Sequence, residues 1–296
     1  MRKKPMLAYP VNDKQIDYTQ PVFIQPKLDG VRCLIQYENR PLKNVDDLSG
    51  QLTENVVVAY SRTGKEWKNI DHILSDLLPF FQKHPNVILD GELYNHNLRN
   101  DFEQIISLVR RQKPDDIDAL ESRDNVQFHC YDIVDEDNVF DVRADFIGDN
   151  LPESYCVKHV YTTRVHKHEE ALDMHHNYNL VGGYEGSIVR TNDVYQCKRS
   201  HSLRKFKDFQ DTEATITGYV EGKGKRKGTL GKFLMRDNEG NEFGCPPGKG
   251  YNYKDLAVML KNVNNYIGKI ATFTYFERTK AGSYRHPLFK CIRDYE

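Results

Sequence analysis

The sequence predicts an α+β chain in two parts, with strands and helices alternating over residues 1–209 and a small β-barrel over 210–296. Three observations predict it. Short β-branched or aromatic runs bounded by turn residues alternate with apolar stretches at helical spacing. After Phe209 the pattern changes to five strand-like segments with one helix among them. The charge is also uneven: residues 210–296 hold 15 Lys+Arg against 10 Asp+Glu and residues 1–209 hold 27 against 33, although the whole chain stands at −1.

In chain order, Val22 to Gln25, Val31 to Tyr37, Val56 to Ser61, Val87 to Leu89, Val126 to Ile133 and Ser187 to Arg190 read as strands. Between them, Ile70, Ile73, Leu74, Leu77, Leu78 and Phe81 form a helical stripe over 70–82. Asp101 stands where it can cap a second helix, with Phe102, Ile105, Ile106 and Val109 facing inward and Arg110 and Arg111 at the favourable C-terminal end. A third helix is expected over 168–178. In the second part, 213–221, 231–237, 241–245, 269–277 and 286–293 read as strands and 254–262 as a helix, which suits an OB-type barrel. The break falls at 208–212, within the polar stretch KDFQDTE.

With 296 residues, 39% hydrophobic and 29% charged, and a mean hydropathy of −0.71, the chain reads as a soluble protein with a sizeable core. No apolar run approaches the roughly 20 residues of a membrane helix. The start, MRKKPMLAYPVNDKQ, is broken by Pro10 and Asn12 and makes no secretory signal, so a cytoplasmic protein is expected. The cysteines at 33, 130, 156, 197, 245 and 291 form no C-x-x-C pair, which points to reduced thiols and away from a zinc ribbon or disulfide framework. The absence of repeats or heptads excludes solenoids and coiled coils.

Four segments carry chemistry. QPKLDGVR places Lys27 in a turn between two strands, with Asp29 and Gly30 after it. A lysine desolvated there and close to other cations can lose its proton and act as a nucleophile, and Asp29 can hold a metal. In ILDGELYNH, Asp90, Gly91 and Glu92 close a short apolar strand and present Glu92 at its C-terminal end. In GGYEGSIVRT, Glu185 precedes a buried strand, and a pair of carboxylates can share divalent cations that bridge phosphate oxygens. In SLRKFKDF, Lys205 and Lys207 fall on one face if the segment is extended, making a phosphate clamp. Each segment alone also fits an ordinary turn or a solvated surface. A fifth segment, GKGKRKGTLGK at 222–232, sets Lys223, Lys225, Arg226, Lys227 and Lys232 among glycines, a surface excursion suited to following a phosphate backbone.

Taken in order, KLDGVR, SRTGK (61–65), DGELY (90–94), FHCYD (128–132), EGSIVR (185–190) and KFK (205–207) resemble the nucleotidyltransferase motifs of ATP-dependent DNA ligases, in a minimal two-domain, virus- or phage-like form. The resemblance implies a nucleotidyltransferase (ATP-grasp-like) domain of antiparallel sheets and helices over 1–209 and an OB-fold domain over 210–296. It implies that Lys27 attacks the α-phosphate of ATP, expels pyrophosphate and carries AMP. It also implies that Gln25 reads adenine, that Arg32 contacts phosphate, that Arg62 contacts ribose and phosphate, that Glu92 binds ribose, and that Tyr131 stacks on adenine. Glu185, with Asp29 and Glu92, is expected to hold Mg²⁺ or Mn²⁺, and Lys205 and Lys207 to hold the α-phosphate. Cys33, Cys130 and Trp67 are expected to be packing residues, and His129 a satisfied strand histidine with no catalytic role.

The closing motif of that family carries an arginine, an aspartate and commonly a lysine, whereas here Arg293 and Asp294 are followed by Tyr295 and Glu296. Arg285, Arg293 and Asp294 are the residues matched to it, and 208–212 is expected to act as a hinge. The implied partner is nicked double-stranded DNA, gripped through phosphates by a monomer in the cytoplasm or in a virus-infected host's cytoplasm. Replication, repair and recombination are equally compatible roles. The rival readings are an RNA ligase, a GTP-dependent mRNA capping enzyme, an NAD⁺-dependent ligase, and a non-catalytic OB-type nucleic-acid-binding protein.

Overall fold

A computed structural model describes the chain except residues 1–2, 12–14, 43–52, 100, 207–209, 249, 276–277, 279–281, 285 and 294–296. Two compact units divide at Phe206/Lys207. The first unit holds two five-stranded sheets.

One sheet runs in the order β1 (Leu7–Pro10), β10 (Arg199–Phe206), β9 (Gly186–Thr191), β2 (Val22–Lys27), β8 (Thr163–Val165). The other runs β4 (Thr53–Ser61), β3 (Val31–Pro41), β5 (Ile88–Tyr94), β6 (Gln127–Ile133), β7 (Val157–His159). Pairing is antiparallel except for β1 with β10 and β6 with β7, so both sheets are mixed. The chain passes from one sheet to the other through Leu28–Gly30, directly after Lys27.

Strand alternation separates two kinds of face. On the β3–β5–β6 sheet, Cys33, Ile35, Leu89, Leu93, Phe128 and Cys130 join Trp67 and the helices α1 (Asp71–Lys83) and α2 (Phe102–Val109) in the largest core cluster. Both cysteines and Trp67 are thus packing residues. The opposite face carries Arg32, Asp90 and Glu92, with Arg32 paired in register with Glu92. On the other sheet, Val22, Ile24 and Val189 pack with Ala171 of α5 (His168–His176). Phe23, Gln25, Lys27, Ile188, Arg190 and Lys205 share the remaining face by register.

Two further helices, α3 (Asp116–Asn125) and α4 (Phe140–Asn150), have no apolar stripe that announces them. In α3, Ile117 and Leu120 are exposed, and a capping box between Asp115 and Asp118 secures its start. The inner face of α4 buries Arg143, so its periodicity is broken by a charge. Strands β1, β7, β8 and β10 also exceed the sequence expectation. β7 and β8 are three residues long and owe their conformation to neighbours.

The second unit is one sheet in the order β13 (Glu242–Cys245), β12 (Leu230–Arg236), β11 (Gln210–Glu221), β14 (Ile270–Tyr275), β15 (Leu288–Ile292), with α6 (Tyr253–Lys261) between β13 and β14. Ile216, Phe233, Met235, Phe273 and Phe289 form its core with Leu256 and Met259 of α6. All five strands and the helix fall where the apolar pattern locates them.

Candidate active site

Lys27 ends β2, and its Nζ forms an ion pair with Glu185, whose side chain is 3% exposed while that of Lys27 is 22% exposed. The backbone sets this pairing: Lys27 lies in register with Gly186, and the Glu185 amide donates to Lys27 O at 3.2 Å. Asp29 is half-buried in the following turn, where its charge helps hold the Tyr94 hydroxyl above its ordinary pKa, although burial contributes most. A Cβ at Gly30 would stand 2.4 Å from Leu93 O and 2.8 Å from Glu92 Cγ, so glycine is required for the turn to reach β5.

Glu92 does not close a strand. The Asp90, Gly91, Glu92 sequence lies inside β5, which continues to Tyr94, because Gly91 lets β6 approach closely: a Cβ there would meet His129 O and the Phe128 ring at 2.5 Å. The β5–β6 pairing also slips beside Gly91, with Asp90 opposite Asp132 and Gly91 opposite Cys130. Tyr131 is the residue left over. Such a bulge re-aims a side chain, and the Tyr131 hydroxyl donates to Glu92 Oε2 at 3.1 Å.

Burial raises the Glu92 carboxyl to about 7 against the opposing pull of Arg32 and Lys27. Burial likewise pushes the Tyr131 phenol well above its ordinary value, so it stays a donor. His129 is lowered to about 4 by burial and is held by Gln127 at 3.1 Å, a satisfied strand histidine.

Arg32 grips Asp90 with Nε and Nη2, each at 2.5 Å, and Nη2 also donates to Met6 O at 3.1 Å. Its guanidinium carbon lies 5.1 Å from the Tyr131 ring centroid. Tyr195 donates to the same Asp90 at 2.6 Å. Beneath the site, fully buried Asp132 accepts from Arg143 at 2.8 and 3.1 Å and from Arg190 at 2.6 Å. Arg190 continues to Gln25 Oε1 at 2.8 Å, and Gln25 Nε2 donates to Thr162 Oγ1 at 2.9 Å and Tyr131 O at 3.2 Å. The Gln25 amide therefore works as a buried brace between the two sheets.

Asp90, Asp132 and Arg190 stand within the motifs but carry no role expected from the sequence. A charged residue at an inward position of an apolar strand is the signal that marks them. Arg143 and Tyr195 carry no such mark.

Arg62 is exposed on a tight turn after β4, beside Ser61, which pairs with Cys33; it lies at the same end of the sheet as Arg32. Lys205 lies on β10 opposite Ile188, on the face that carries Lys27. Lys207, Arg285 and Asp294 lie outside the described residues, as does part of the expected hinge. Arg293 forms an ion pair with Glu213 of β11. Among the described residues no cluster of three or more His, Cys, Asp or Glu is arranged to hold a metal ion.

The basic segment is no open excursion. Gly222 N donates to Thr229 O at 2.9 Å, Gly228 N to Glu221 Oε1 at 2.7 Å and Thr229 Oγ1 to Arg226 O at 2.6 Å, closing the chain into a compact hairpin turn. Glycine at 222 permits this, since a Cβ there would meet Arg226 O at 2.3 Å. Lys223, Lys225, Arg226, Lys227 and Lys232 are all exposed.

Residues 5–207 match the family described as ATP dependent DNA ligase domain, and residues 221–293 match the DNA ligase OB-like domain. A DNA ligase of African swine fever virus (isolate Pig/Kenya/KEN-50/1950) is 26% identical over 92% of this chain and 65% of its own length. One from Halobacterium salinarum (strain R1) is 24% identical over 74% of this chain and 39% of its own. The chain thus spans just under two thirds of the viral relative. A solved Lig E DNA ligase shares the fold over 99% of this chain and 100% of its own, at 22% identity and a TM-score of 0.73. The ATP-dependent DNA ligase from bacteriophage T7, in complex with ATP, covers 98% of each chain at 18% identity and a TM-score of 0.51.

Proposed function

The chain belongs to the ATP-dependent DNA ligase family, and from that premise we propose that it seals nicks in duplex DNA through an AMP adduct on Lys27. The observation that supports this best is the Lys27–Glu185 ion pair, set on the same sheet face as Gln25 and Arg190 and close to Glu92, whose carboxyl feels its charge.

In the first step Lys27 Nζ, having given up its proton, forms a bond to the α-phosphorus of ATP as the bond to the β-phosphate oxygen breaks and pyrophosphate leaves. Glu185 Oε2, ion-paired with Nζ, stands within reach of that proton. Tyr131 offers an aromatic face to adenine, and Glu92 accepts from a ribose hydroxyl. Arg62 and Lys205 meet the phosphates, with Lys207 expected beside them, and Arg32, locked to Asp90, keeps a fixed positive charge near the ring. Glu92 and Glu185, two carboxylates near Lys27, have the hard oxygen donors that would hold Mg²⁺ or Mn²⁺ together with phosphate oxygens, and the ion would offset charge on the transferred group. AMP then passes to the 5′-phosphate of the nick. Attack by the 3′-hydroxyl closes the strand and releases AMP.

Contacts to DNA are mostly to phosphate, through the basic hairpin turn of the second unit. We infer a monomer, and a cytoplasmic location in keeping with six cysteines that form no disulfide. Incubation with labelled ATP or GTP, followed by a chase with nicked DNA or RNA, tests the reading. An AMP adduct from ATP that is lost in Lys27→Ala and discharged by nicked DNA is the expected result. A GMP adduct, or discharge by RNA alone, overturns it.

A further inference from the structure

The segment after β5 reaches across to the turn that carries Glu185. His96 Nδ1 lies 2.9 Å from the Tyr94 hydroxyl, two residues along β5 from Glu92. The same ring lies 4.6 Å from the Tyr184 ring, centroid to centroid, and faces the Gly182 backbone. Arg99 donates from Nη1 to His96 O at 3.0 Å, and its Nε lies over Gly183, 2.8 Å from where a Cβ would stand. Gly183 has φ +67°, a conformation that glycine adopts without strain. The turn is fixed at its ends by Gly182 N donating to Asn177 O at 2.8 Å and Glu185 N donating to Lys27 O at 3.2 Å. Within it Tyr184 N donates to Tyr178 O at 2.9 Å and Asn179 Nδ2 to Tyr184 O at 3.2 Å, and His96 and Arg99 approach it from the segment after β5.

We propose that His96 and Arg99 are positioning residues for the lysine chemistry: together they clamp the Gly182–Glu185 turn against the end of β5 and so hold Glu185 against Lys27. The role rests on the ligase reading above, whereas the clamp itself does not. The two walls of the site come from different sheets, and these side chains tie the β5 wall to the Glu185 wall in addition to the buried Gln25–Arg190 brace. Small errors in the placement of a catalytic group have large effects on rate, so the clamp acts on the chemical step more than on nucleotide affinity.

The test compares wild type with Arg99→Ala, His96→Ala and the conservative Arg99→Lys and His96→Gln. Two readouts are taken on the full chain: single-turnover formation of the AMP adduct across ATP concentrations, and amide hydrogen exchange over 182–186. The alanine variants are expected to lower the rate constant at saturating ATP by roughly 10- to 100-fold. KM for ATP should stay within about threefold, the unfolding midpoint should be unchanged, and the conservative variants should recover part of the rate. Exchange should quicken at 182–186 while the rest of β9 stays protected. An unchanged rate constant with unchanged exchange overturns the proposal. So does a loss confined to KM, which would make these direct ligand contacts, or a fall in unfolding midpoint with protection lost throughout β9, which would make the role merely structural. If wild type forms no adduct, the ligase reading fails, and the exchange comparison alone decides the clamp: quickening at 182–186 supports it and equal exchange overturns it.

Discussion

Tyr131 donates to Glu92 across the one place where β5 and β6 slip out of register, so a backbone irregularity creates the polar pair at the centre of the site. The ring and the hydroxyl have separable tasks. Tyr131→Phe keeps the ring and should hold KM for ATP within about threefold. Tyr131→Ala should raise it by about 5- to 150-fold, the equivalent of roughly 1–3 kcal/mol of base stacking. Adduct formation measured against ATP concentration reads both, and equal KM values for the two variants would contradict a stacking role.

Glu92 should leave its mark on stability as a function of pH. Its carboxyl is raised from 4.5 to about 7 in the folded state, so the native protein binds the proton more tightly than the unfolded chain. Stability from this group is fully present below about 4.5 and is lost as pH rises through about 7. Urea denaturation of wild type and Glu92→Gln between pH 5 and 8 isolates the term, because the variant should lack that part of the decline. Parallel curves would show that Glu92 does not titrate in this window.

Removing Asp132 leaves Arg143 and Arg190 buried without their counter-charge. Asp132→Ala should destabilise the first unit by about 3–5 kcal/mol, the usual cost of stripping one partner from a buried ion pair. Chemical denaturation followed by fluorescence measures it. A loss under about 1 kcal/mol would mean that water or rearrangement satisfies the arginines.

Gly91→Ala tests the close approach of β5 to β6. The added methyl group meets both the His129 carbonyl and the fully buried Phe128 ring at 2.5 Å. A cost of about 1–3 kcal/mol follows from overpacking, with adduct formation impaired because Glu92 shifts with the strand. Thermal unfolding and the adduct assay are the measurements, and a variant as stable and active as wild type would count against the tight packing.

The basic hairpin turn calls for substitution, because deletion would open its internal hydrogen bonds. Replacing Lys223, Lys225 and Lys227 with serine should weaken nicked-duplex binding. If each meets a phosphate, the slope of log affinity against log salt should fall by roughly 2–3. Adduct formation from ATP should be unaffected. An unchanged salt slope would remove these lysines from the DNA contact.

Much of this fold is legible in the sequence. The strands over 22–25, 31–37 and 187–190, the helices starting near 71 and 168, and the five strands and α6 of the second unit follow from apolar spacing, because those segments bury one regular face. Helices α3 and α4 leave no periodic signal because one exposes its apolar residues and the other buries an arginine. The three-residue strands β7 and β8 are too short for any periodicity to register.

By itself the sequence determined which residue types stand at the site and in what order: the lysine before a tight turn, the two carboxylates, the tyrosine and the arginines. Their order is a property of the chain and survives in one dimension. Only the tertiary structure decided that Gln25 braces two sheets, that Arg32 is bound to Asp90, that Tyr131 faces Glu92 and that Lys27 meets Glu185. Those partners lie 39 to 165 residues apart in sequence, and their meeting depends on strand register, a one-residue bulge and the desolvation that makes an unpaired charge costly.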